Sequence, residues 1–157
     1  MKRIFPFIGI VIALIIIMPV IIGSFMAQEH AISRSQDFSS PQTVLWTTIT
    51  DPKAQDWRRN IKQIETNDRV WTEIRANGST NRYKVVAEDM PNRLIRRQED
   101  SSFPKEWEFV IDPIDTGSRL TLTERTSINN PFLRFINRLS GTNGIRMYLD
   151  DLKKRLP

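Results

Sequence analysis

The sequence contains no cysteine and one histidine, His30. Without cysteine there is no disulfide, no thiolate metal ligand and no thiol nucleophile. That is compatible with an oxidising compartment but does not establish one. A lone histidine leaves no histidine-built zinc or haem site. His30 lies close behind a long apolar run and reads as a solvated linker residue. Neither a glycine-rich phosphate loop nor a nucleophile elbow is present, and no internal repeat or low-complexity tract interrupts the chain. The acidic pairs Glu99-Asp100 and Asp150-Asp151 are sequence neighbours that diverge in space, so they read as solvated charge. The sequence therefore offers no catalytic residue, no metal site and no cofactor.

What it does have is a sharp division. From Ile4 to Gln28 there is no charged residue, and most of that run is Ile, Val, Leu, Phe or Met. A bilayer core takes roughly 20 apolar helical residues, and residues 4–27 supply them. Pro19 can kink such a helix without breaking it. The rival is a cleaved signal peptide, whose apolar region runs about 7–15 residues before a small-x-small site. Here the run is longer, cleavage after Ala27 would place Phe25 where a small residue belongs, and cleavage after Gly23 or Ser24 is a weak fit. The expectation is an uncleaved transmembrane anchor over 1–28 and one soluble domain over 29–157. Positive flanks stay cytoplasmic, so Lys2 and Arg3 predict a single-pass cell-membrane protein with its C-terminal domain outside, on the periplasmic side.

Net charge is +5 over 157 residues, and Lys2 and Arg3 supply two of those charges. The remaining excess forms no basic stripe, which excludes a nucleic-acid partner. Aromatic residues run through the domain, so it is not a disordered tail.

Its elements are legible from period. Ala31–Phe38 reads as a strand. Ser40 as N-cap and Pro41 at the first helical position open a helix over Gln42–Thr50, and a second short helix is expected over Pro52–Asn60. Strands follow at Ile61–Glu65 and Arg69–Arg75, then a hairpin turn at Asn77-Gly78. Arg82–Glu88 returns with Tyr83, Val85 and Ala87 on one face, and Arg93–Glu99 follows. Glu106–Ile111 alternates, with Trp107, Phe109 and Ile111 opposite Glu106 and Glu108. Arg119–Thr126 alternates again and places Leu120 and Leu122 inward. The C-terminus changes to helical spacing: Phe132, Phe135, Ile136 and Leu139, continued by Ile145, Tyr148, Leu149, Leu152 and Leu156. That stripe is one long helix, with a possible break at residues 140–144. The fold class is α+β, an antiparallel sheet that needs the helix as its cover.

Three stretches resemble the START-like superfamily, the helix-grip group of polyketide cyclases and lipid-transport proteins. SSPQTVLWTTITD (Ser39 to Asp51), followed by Trp57, is similar to the opening helix of that group. RLTLTERTSINNPFLRFINR (Arg119 to Arg138) resembles its last strand and the start of its closing helix, and MPNRLIRR (Met90 to Arg97) a mid-sheet strand. The resemblance implies a curved sheet gripping a long C-terminal helix, with a cavity between them that takes lipids, sterols, polyketides or quinones. A membrane anchor lies outside that pattern.

On this reading the cavity is lined by Trp57, just after the opening helix, and from the sheet by Trp71, Tyr83, Val85, Trp107, Phe109, Leu120 and Leu122. From the helix it is lined by Phe132, Phe135, Ile136, Leu139 and Tyr148. Gly141 and Gly144 either break the helix or leave room for a ligand beneath it. The expected function is a non-enzymatic binding module for a lipid, isoprenoid or similar apolar molecule. An enzyme of cyclase or hydrolase type is the alternative and needs polar groups in the cavity, for example Tyr83, Tyr148 or Arg96. A third possibility is a packed-core interaction domain.

Overall fold

The structure is a computed structural model and describes residues 15, 17–99, 101, 103–140 and 143–156. Most of the expected anchor, with Lys2 and Arg3, lies outside the described residues, as does Gly141. Residues 17–25 are helical. No helix among the described residues is long and apolar enough to cross a membrane.

The elements are β1 (Glu29–Phe38), α1 (Gln42–Thr50), β2 (Ile61–Asn67), β3 (Val70–Arg75), β4 (Thr80–Asp89), β5 (Arg93–Gln98), β6 (Lys105–Ile114), β7 (Gly117–Ser127), α2 (Pro131–Ser140) and α3 (Asn143–Arg155). The strands form one seven-stranded sheet in the order β1-β7-β6-β5-β4-β3-β2. From β2 to β7 each strand pairs antiparallel with the next. Every strand expected from alternation is present. The Asn77-Gly78 turn joins β3 to β4, with Gly78 at φ 82, a left-handed conformation that glycine adopts without steric cost.

Two local expectations change. The helix cap is Pro41, not Ser40, and no side chain caps the helix. The Ser40 carbonyl instead accepts from the Ser118 hydroxyl at 2.7 Å. No second helix forms after α1 among residues 52–60, which hold successive turns. That segment spends its polar groups closing the end of α1, whose last carbonyls have no partner within the helix. Gln55 Nε2 donates to the carbonyls of Thr48 and Asp51 at 2.9 and 2.8 Å, and the Asp51 carboxylate accepts from Lys53 N–H at 2.9 Å. At the C-terminus α2 ends at Ser140 and α3 begins at Asn143, within the stretch where the sequence allowed a break.

Those two helices belong to different compact units. The larger unit comprises residues 31–126 and 143–156. Its core joins Leu45, Trp46 and Ile49 of α1 to the inner face of the sheet (Leu94, Phe109, Ile111, Leu120 and Leu122). Ile145, Tyr148, Leu149 and Leu152 of α3 complete it. Thus α3 is the helix the sheet grips. Its stripe recurs at i, i+3, i+4 and i+7, and Lys153, Lys154 and Arg155 occupy its last turn, where cations suit the helix dipole.

The smaller unit comprises residues 15, 17–30 and 127–140. Here Gly23 is required by close approach: a Cβ on it would lie 1.8 Å from the Pro131 carbonyl oxygen. Arg134 closes the end of the helical segment, donating to the carbonyls of Gly23 at 3.0 Å and Met26 at 2.8 Å. His30 sits on β1 with Arg138 Nη1 at 3.0 Å, so it is a strand residue and not a linker.

Candidate functional site

Alternation along a strand sends every second side chain to the core face. On β3, β5 and β7 of the larger unit that face carries charge as well as hydrocarbon. Trp71 is followed two residues on by Glu73, and Leu94 by Arg96. Both charged residues are buried at 5% exposure. Glu124 follows Leu122 in the same way. Register then assembles them. Arg96 pairs with Val85 on one side and Trp107 on the other, Trp107 pairs with Glu124, and Trp71 pairs with Tyr83. One end of the sheet's inner face is therefore hydrocarbon, and the other is aromatic and charged.

Between that second end and α3 lies a cavity of about 350 Å³. Its mouth is lined by residues including Asn60, Arg75, Asn77, Gly144, Met147 and Asp151. An adjoining inner lobe of about 30 Å³ shares Arg58, Glu73, Tyr83, Trp107 and Tyr148 with it and is further bounded by Arg96 and Phe109. The aromatic walls interlock: the Tyr148 ring lies 5.6 Å from Phe109, 6.3 Å from Trp107 and 5.1 Å edge-on from Trp57. Edge-on and tilted contacts of this kind suit the ring quadrupoles.

The charges in the lobe are unequal. Arg58 donates to Glu73 at 2.6 Å. Burial weakens the Arg58 cation, but the Glu73 carboxylate outweighs burial and raises its pKa. Arg96 forms no ion pair among the described residues. Its guanidinium lies 3.8 Å from the centre of the Trp71 ring and reaches the Ile49 carbonyl at only 3.4 Å. Burial lowers its pKa to about 10, so it is still a cation at neutral pH. Burial also pushes the Tyr148 phenol up to about 12 and the Tyr83 phenol higher still, with Glu73 adding to the latter. Both are neutral donors at physiological pH. Among the described residues, the Tyr148 hydroxyl, Arg96 Nε and Trp107 Nε1 find no hydrogen-bond partner.

Of the lining residues expected from sequence, the structure brings Tyr83, Trp107, Phe109 and Tyr148 together around the inner lobe. Trp57 packs behind Tyr148, and Trp71 lies under Arg96. Val85 packs against the core, while Leu120 and Leu122 are fully enclosed in it. Phe132, Phe135, Ile136 and Leu139 lie on α2 in the smaller unit and are absent from the described lining. Phe132, Ile136 and Leu139 are exposed. Sequence reading did not include Arg58 and Glu73. The available signal was Glu73 itself, a charge on the core-facing parity of β3.

No family model and no curated protein matches the chain. Solved structures do. A START superfamily protein from Mycobacterium smegmatis aligns at a TM-score of 0.63 with 12% identity, over 81% of this chain and 97% of that one. A protein from Nitrosomonas europaea aligns at 0.63 with 15% identity, over 79% and 92%. A norcoclaurine synthase mutant from Thalictrum, solved with a transition-state analogue, aligns at 0.63 with 10% identity, over 80% and 92%. At these identities the likeness is one of fold. The chain has the START-like, helix-grip fold.

Proposed function

We propose that this chain is a membrane-anchored binding module for a hydrophobic small molecule, a lipid, isoprenoid or similar, held between the sheet and α3. The observation that carries the reading is the aromatic-floored cavity. Its volume lies within the roughly 300–1,000 Å³ usual for ligand sites, and its lining sets the aromatic faces of Tyr83, Trp107 and Tyr148 among charged and polar groups. The anchor is residues 4–27, with the domain on the outer face of the cell membrane. Lys2 and Arg3 and the uncharged run support that placement. So does the outward-facing hydrocarbon of residues 17–25, where Ile17 is 51% and Phe25 89% exposed.

The test is native mass spectrometry of the full chain extracted from its own membranes. An apolar adduct that dissociates on activation is expected. A chain that carries no adduct and takes up no added apolar probe would overturn the reading.

A second reading, an enzyme acting on an apolar substrate, is favoured by one observation: Tyr83, Tyr148 and Arg96 all border the inner lobe. A fixed cation beside neutral phenol donors can stabilise a developing oxyanion or enolate. Time-dependent change in the mass of the bound molecule, abolished by Tyr148→Phe, would favour that reading over simple binding.

A further inference from the structure

Resting on the binding reading above, we infer that the ligand of this cavity carries an anionic oxygen head, a carboxylate or an acidic enol, and that it enters head first. The head lies in the inner lobe against Arg96 and the Tyr148 hydroxyl, and the apolar body lies along Trp107 toward the mouth.

The charge of the lobe carries the argument. It holds two guanidinium groups, Arg58 and Arg96, and one carboxylate, Glu73. Glu73 is committed to Arg58 at 2.6 Å, which leaves Arg96 as one uncompensated cation. A buried charge is costly unless paired, and such groups ordinarily find a counter-ion. The face of Trp71 offsets part of that cost but leaves Arg96 Nε without a hydrogen-bond acceptor. The Tyr148 hydroxyl borders the same lobe without a partner, and burial keeps it protonated. A planar cation and a phenol donor facing one small space make a receptor for an oxyanion. A purely hydrocarbon ligand would leave both unpaired. The inner lobe has room for a head of a few atoms, and the body must occupy the wider part. There Gly144 presents no side chain, and a Cβ on it would sit 3.6 Å from the Trp107 ring.

The experiment compares two probes of one shape, naphthalene-2-acetate and naphthalene-2-acetamide. Binding to the full chain in lipid nanodiscs is followed by calorimetry at neutral pH, with empty nanodiscs subtracted. The acetate is expected to bind at least about tenfold more tightly than the amide, as hydrogen bonds to charged groups allow. That preference should collapse toward unity in Arg96→Met. In Tyr148→Phe, which loses a single hydroxyl and guards against misfolding of the first variant, it should shrink part of the way. Equal binding of both probes by the wild type would overturn the anionic head while leaving the cavity a binding site. A preference that survives in Arg96→Met would overturn the assignment to Arg96. If neither probe binds, the binding reading falls and the head with it.

Discussion

Gly144 is a residue at which the space of the cavity can be tested directly. It borders the cavity in the first turn of α3, and its missing side chain faces the edge of Trp107. Gly144→Leu sends a side chain past Trp107, which its Cβ would touch at 3.6 Å, into the cavity that Gly144 lines, so the expected result is loss of apolar-probe binding with a melting temperature near that of the wild type. If the site were packed, overpacking would instead cost about 1–3 kcal/mol with no binding to lose, and thermal unfolding beside a fluorescence titration separates the two. The aromatic residues were legible at this scale: Trp107 and Phe109 were assigned to the inner face by parity alone, and Tyr148 by helical spacing. The pairing of Arg58 with Glu73 was not. Those residues are 15 apart in sequence and come from a turn and a strand, so no local period relates them.

Among the elements, α3 completes the core of the larger unit. Leu152 is fully buried against the sheet, and Leu152→Ala is expected to cost about 2–5 kcal/mol, measured as a shift in denaturation midpoint. The outer face of the sheet supplies a different test. Arg93 and Arg125 hold Glu108 at 2.6 and 2.7 Å. Burial works against the Glu108 charge, but these two hydrogen bonds outweigh it and set its pKa below the ordinary value. A carboxylate depressed in the folded state stabilises fully above its unfolded pKa, about 4.3, and loses that contribution as pH falls through the folded value. The melting temperature should therefore drop below about pH 4, and Glu108→Gln should begin lower and show a shallower drop. Equal acid slopes would remove Glu108 from the account. Strand positions were legible because alternation is a local signal, and so was the helix at Gln42–Thr50. The expected second helix failed because Gln55 and Asp51 satisfy the end of α1 with side-chain hydrogen bonds, a competition that periodicity does not register.

For the whole molecule, the charge before the apolar run makes the prediction. An alkaline-phosphatase fusion at the C-terminus should be active and a cytoplasm-only reporter silent. The reverse pattern would invert the orientation, and a mature N-terminus at Phe25 or Gln28 would replace the anchor with a cleaved leader. The sequence by itself determined the division into an apolar N-terminus and a charged domain, the seven strands, the inward faces of β4, β6 and β7 and the closing helical stripe. Each follows from composition or from a period of 2 or 3.6 residues, which the chain carries locally. Only the tertiary structure decided that α3 closes over the sheet core. The same holds for Glu73, Tyr83, Arg96 and Tyr148 bordering one lobe, and for Arg96 having no carboxylate to itself. Those facts depend on strand register and on how closely α3 approaches the sheet, and both are set by packing between segments far apart in sequence.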